Sequence, residues 1–264
     1  MTLREVLLAT GQHRFWQRLA DEHVDEGVAM PMRGADEAYV SLRLGEMYLA
    51  RSRKLWRKYH PLLNGLLDHR GNRHQVIADA SRFPPFATDQ LDRVAVLKHR
   101  LAGPVPYAGD DLTLAVALLS VPGADAAQAL LATLTDLAAL PALATGLDSA
   151  LKVARAVEQG VDRLLALDQV QLQLGILDTW AAGEGFRAGF YVGIAADENA
   201  IDGDRLWVQD GRLRHGEDPV TARAYGAHDY MVVQVEASEH RTGWPLLGDL
   251  APFDTEFKTH PRRQ

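Results

Sequence analysis

The sequence predicts an α+β fold, a mostly antiparallel β-sandwich that carries an inserted antiparallel helical hairpin and an N-terminal helix. Three observations carry this expectation. Two alanine-rich amphipathic segments, residues 124–140 and 147–167, lie between stretches with strand character on both sides. Strands precede and follow them without the regular strand-helix alternation of a doubly wound parallel sheet. The segment RLWVQDGRLRH sets Asp210 and Gly211 between alternating positions, the preferred corner of a two-residue hairpin.

Taken in order, Leu3, Val6, Leu7 and Leu8 followed by Phe15, Trp16 and Leu19 recur at helical spacing, interrupted at Gly11, and predict a helix over residues 3–21. Residues 21–36 mix acidic side chains with Gly27, Pro31 and Gly34 and hold no period, so they read as a mobile connector. The expected organisation is therefore an N-terminal helix and connector over 1–35 and a single β-rich domain over 36–264, with the helical hairpin at 124–167.

Apolar residues alternate at Ala38, Val40, Leu42 and Leu44, the period of a half-buried strand. Strands are expected at 59–67 and 73–78, joined by DHRGN, where Gly71 can take the positive φ of a tight reversal. Further strands are expected at 94–101 and 112–121. The two helices follow, with stripes at Ala127, Leu130, Leu134 and Leu137, and at Leu147, Leu151, Ala154, Val157, Val161 and Leu164. Strands resume at 170–177 and 190–196, then in the Asp210 hairpin and at 230–235. The tail from Trp244 reads as an irregular strap that frays over 260–264.

The composition is that of a globular chain, 47% hydrophobic and 24% charged, enough for a core and too apolar for general disorder. With no cysteine, a disulfide framework, a thiolate zinc site and thiol nucleophilic catalysis are all excluded. No apolar run reaches the length of a spanning helix and no signal-peptide core is present, so a soluble, cytoplasmic chain is expected.

Net charge is −7, yet residues 1–100 hold 16 basic and 12 acidic side chains while residues 101–200 hold 4 and 12. An acidic chain does not favour unspecific nucleic-acid binding, and nucleic acid is not an expected partner. Uneven charge suits a subunit that presents different surfaces to different neighbours, or two ordinary solvated faces.

The densest cationic run is RSRKLWRKYH, with Arg51, Arg53, Lys54, Arg57 and Lys58 around Trp56 and Tyr59. Guanidinium forks beside aromatics suit phosphate, an anionic lipid head group or an acidic protein patch, and protein contact is the preferred use. The alternative is a basic strand edge that discourages aggregation. In DENAIDGD, Asp197, Asn199, Asp202 and Asp204 form a candidate calcium loop, since hard oxygen ligands are what calcium requires. Ile201 and Val208 occupy positions where an EF-hand needs oxygen ligands, so any calcium site would be of another kind, one that Asp110 and Asp111 in a second loop could complete. No cofactor is otherwise expected.

GEGFRAG leads into a strand, whereas a phosphate loop needs a following helix N-terminus. His69 and His74 flank a reversal, with His60 further off, and His23 lies in an acidic turn. No serine sits on a G-x-S-x-G elbow or an S-x-x-K helix, and His228 beside Asp229 is a pair of neighbours that point apart on a strand. The sequence thus points to a non-enzymatic adaptor that docks other protein subunits in a cytoplasmic assembly. The alternatives are a calcium- or charge-dependent peripheral membrane module and a hydrolase with a dispersed active site. The oligomeric state is not set by the sequence.

Overall fold

The computed structural model describes residues 14–25, 38–54, 57–69, 72–79, 93–107, 111–122, 170–180 and 187–238. They form thirteen strands and three short 3-10 turns. One sheet contains β1 (Phe15–Arg18), β9 (Gly189–Ile194), β13 (Tyr230–Ser238), β2 (Ala38–Tyr48) and β6 (Arg93–Tyr107), in that order and antiparallel throughout. A second contains β4 (Arg57–His69), β7 (Leu112–Pro122) and β8 (Gln171–Trp180), with β3 (Arg53–Lys54) and β5 (Asn72–Asp79) both paired to β4. A small third sheet is the meander β10 (Leu206–Gln209), β11 (Arg212–His215) and β12 (Arg223–Ala224).

The sheets stack because the first is apolar on both faces. On β13, Met231, Val233, Val235 and Ala237 enter the core shared with Leu63, Leu67, Leu114, Val116, Leu118 and Leu174 of the second sheet. Tyr230 and Val232 point the other way, into a second core with Leu206, Val208 and Leu213 of the third. The run YMVV, Tyr230 to Val233, is therefore continuously apolar because it belongs to a central strand covered on both sides.

Close approach fixes some positions. A Cβ on Gly65 would lie 2.1 Å from the Ala115 carbonyl oxygen, so only glycine lets β4 and β7 pair at this point. Asp210 and Gly211 have φ of 50° and 69°, the doubly positive corner expected between β10 and β11.

The α+β class is overturned. Among the described residues the fold is mostly antiparallel sheet, with no helix of seven residues or more. The hairpin expected at 124–167 lies outside the described residues, as do residues 1–13 of the expected N-terminal helix. Where that helix is described it is replaced by β1, which pairs with β9 from Phe15 opposite Ile194 to Arg18 opposite Tyr191. The reason is a spacing that serves both states. Phe15 and Leu19 are four apart, an even number, so they share one face of an extended chain as well as one face of a helix. Both fill the core beneath the third sheet, while Trp16 packs on the opposite core.

Residues 21–25, expected in the connector, lie along β10. Val24 bridges Val208, and the Asp25 amide donates to the Val208 carbonyl at 3.2 Å. The edges of the two large sheets meet where Trp16 Nε1 donates to Asp178 Oδ2 at 2.8 Å, beside the stacked Tyr191 ring. Burial pushes the Tyr191 hydroxyl up to about 12, so it stays protonated and donates to the Arg187 carbonyl. No helix among the described residues is long and apolar enough to cross a membrane.

Candidate functional site

The charged segments singled out in the sequence leave from one end of the sandwich. Tyr230 stands between Tyr48 and Ile194 in the pairing of β2, β13 and β9, so the chain leaving β2 and the chain leaving β9 emerge together. Asp229 holds both exits. Its Oδ1 accepts from the Ala50 amide at 2.7 Å, and its backbone carbonyl accepts from the Ala195 amide at 2.9 Å.

After Ala50 comes the basic run. Arg51 is exposed. The register sets Arg53 opposite Lys58 and Lys54 opposite Arg57, and the Tyr59 amide closes the ladder on the Ser52 carbonyl at 2.7 Å. The run is thus an antiparallel hairpin, and Trp56 at its turn lies outside the described residues. Tyr59, read in the sequence as an aromatic neighbour of the cations, is buried in the main core and anchors the hairpin instead.

After Ala195 comes the acidic loop, which holds two 3-10 turns, Glu198–Ala200 and Gly203–Arg205. Asp197, Asn199, Asp202 and Asp204 are all exposed, and Asp202 Oδ1 accepts from the Asp204 amide at 3.1 Å. No group of three or more histidine or carboxylate side chains among the described residues could hold a metal ion. Asp111 lies at the far end. It precedes Leu112, which pairs with His69, and His69 touches Tyr107 where β6 ends, opposite the start of β2.

Between the first and third sheets lies a carboxyl group that sequence reasoning missed. Glu46 is fully buried, and its Oε2 accepts both the Tyr230 hydroxyl at 2.5 Å and the Leu213 amide at 2.9 Å. The rings of Tyr48 and Tyr225 lie 5.3 and 5.6 Å from that of Tyr230, and the Tyr225 hydroxyl meets His228 Nδ1 at 2.7 Å. Burial pushes the Tyr225 hydroxyl up to about 12. Glu46 reaches this core because the pairing of β2 with β6 shifts register between Leu44 and Glu46. Its inaccessibility suits a pin between sheets, not a group that meets a substrate.

Of the histidines, His69 and His74 come close enough on one face of the β4–β5 pair for the charge of one to act on the other, while His60 stays apart. On β4, His60 is on the face opposite to His69 and nine residues away, about 30 Å along an extended strand. His74, across from Leu67 on β5, is held down to about 4 by burial and then by the charge of His69, so it is neutral near pH 7. Asp68 follows the opposite face of the strand from its neighbour His69. His228 faces Tyr225 while Asp229 faces Ala50, so they form no catalytic pair. Residues 183–186 of the glycine-rich segment lie outside the described residues, and its end enters β9 at Gly189. No protein family, no curated protein and no solved structure matches the chain.

Proposed function

We propose that the protein is a non-enzymatic docking subunit, acting in a cytoplasmic multiprotein assembly, and that its basic hairpin over residues 51–58 engages an acidic surface of another protein subunit. The observation that supports this is the register of β3 and β4, which places arginine and lysine directly opposite each other twice in succession. Like charges opposite one another on a sheet are destabilising, and an anionic partner relieves that repulsion. Arg51, exposed at the base of the hairpin, adds to the same field.

A tagged full-length chain, recovered from its natural cells at low and high salt, tests the reading against an Arg53→Glu/Arg57→Glu variant. The wild type is expected to retain partner proteins at low salt and to release them at high salt, whereas the variant retains none. An edge that merely resists aggregation gives the opposite result, since glutamate repels a neighbouring edge as well as arginine does. Partners held equally by both chains, or no partner at any salt, would overturn the proposal. Association of the wild type with anionic vesicles in place of proteins would also overturn it, in favour of a membrane role.

A further inference from the structure

We infer that the charged end of the sandwich is self-complementary, and that a second copy of this chain docks on it about a two-fold axis. The basic hairpin of each copy then meets the acidic loop of the other. This rests on the docking role proposed for the hairpin and names its partner.

The two charged segments share one anchor but do not share one face. Ala50 and Ala195 are both bonded to Asp229. Since β9, β13 and β2 are consecutive strands, the exits stand two strand spacings apart, about 10 Å. From there they diverge. Residues 51–58 cross to the sheet of β4, β7 and β8, while residues 197–205 cross to the sheet of β10, β11 and β12. These are the two outer layers, on opposite sides of the central sheet.

Among the described side chains, exposed charges at this end are not paired within one copy. Glu198, Asp202 and Asp204 are exposed, and none forms an ion pair with a described residue; the same holds for exposed Arg51. A surface that is positive on one side of a point and negative on the other matches itself after a half-turn about that point, which is the requirement for an isologous dimer. The net charge of −7 opposes approach from a distance, but that repulsion is screened beyond about 8 Å at physiological ionic strength, while opposed charges in contact are screened much less.

Sedimentation equilibrium of the purified full-length chain decides the matter, with two variants. Arg53→Glu/Arg57→Glu cuts the hairpin from five positive charges to a net of one, and Glu198→Lys/Asp204→Lys turns the loop over residues 197–205 from a net of −3 to +1 while sparing Asp202, whose oxygen caps the second turn. The wild type is expected to dimerise at about 0.1 M salt and to weaken at least about tenfold at about 1 M. Each variant alone is expected to be monomeric with an unchanged circular dichroism spectrum, and an equimolar mixture of the two to form a one-to-one pair. A wild type that is monomeric at every salt concentration, or variants that self-associate as tightly as it does, would overturn the inference. If the wild type is monomeric yet hairpin reversal still strips other proteins in co-purification, self-docking alone fails. A hairpin variant that keeps every co-purified partner instead removes the docking reading itself.

Discussion

Replacing Glu46 with alanine takes away the acceptor for two donors at once. The Tyr230 hydroxyl and the Leu213 amide both end on Glu46 Oε2, in a core also lined by Val192, Leu206, Val208 and Val232. An orphaned buried donor costs about 1–3 kcal/mol, so Glu46→Ala is expected to lose about 4 kcal/mol. That is a large fraction of a domain stability of about 5–15 kcal/mol. Glu46→Gln is the informative control. Because both bonds end on one oxygen, the amide oxygen can accept both, and the loss is expected to be about 1 kcal/mol. Tyr230→Phe removes one bond and is expected to cost about 2 kcal/mol, with a coupling of about 1–2 kcal/mol to Glu46→Ala in a double-mutant cycle. Urea unfolding followed by tryptophan fluorescence gives the energies, and hydrogen exchange at the Leu213 amide locates them in the third sheet. Equal losses for the alanine and glutamine variants, or an alanine variant within about 0.5 kcal/mol of wild type, would refute the reasoning.

His74 supplies the pH dependence. Its folded value of about 4 lies below its ordinary 6.5, so the unfolded chain binds the extra proton between those limits, and stability falls as pH drops from 6.5 towards 4. The shift corresponds to about 3 kcal/mol, and His74→Gln is expected to flatten that part of a urea-midpoint profile; an unchanged profile would contradict the assignment. Gly65→Ala drives a methyl group into the Ala115 carbonyl and is expected to cost about 3 kcal/mol or more, seen as a fall in thermal midpoint, with no such fall if the strands can part freely. Trp16→Phe keeps most of the ring contact with Tyr191 but loses the bond to Asp178, at about 1 kcal/mol by urea titration. A larger loss that Asp178→Asn does not share would assign the effect to packing.

What was legible in the sequence is what short-range chemistry dictates. The Asp210 corner follows from two adjacent residues, and the β4–β5 reversal from a glycine beside alternating strands. β1 was not legible, because an interval of four positions satisfies a helix and a strand alike, and the choice was made by the edge of β9, which lies some 170 residues later in the chain. The Glu46 pin did leave a trace. Buried apolar residues of β2 fall on even positions through Leu44 and on odd positions from Met47, and that change of parity marks the shifted register. The basic and acidic segments were visible as charge, but their common end was not, since Ala50 and Asp229 are 179 positions apart.

The third sheet connects these observations. An unbroken apolar run such as YMVV cannot occupy a central strand unless something covers each face, so the sequence of β13 implies a second covering layer. The layer present is three strands of four, four and two residues, which bury their apolar face against the larger sheet. It is attached to the rest of the fold at Tyr230, at Leu213 and through Val24, and its polar attachment runs through Glu46 on one side and through His23 and Asp25 on the other. The acidic loop is strung between this layer and β9, so its position is set from both sides, by the Ala195 bond to Asp229 and by the Glu46 bond to Leu213. A buried carboxyl group that no partner can touch thereby fixes where the exposed carboxylates stand relative to the basic hairpin. That relative placement, and not the acidity of the loop as such, is what a self-complementary surface requires.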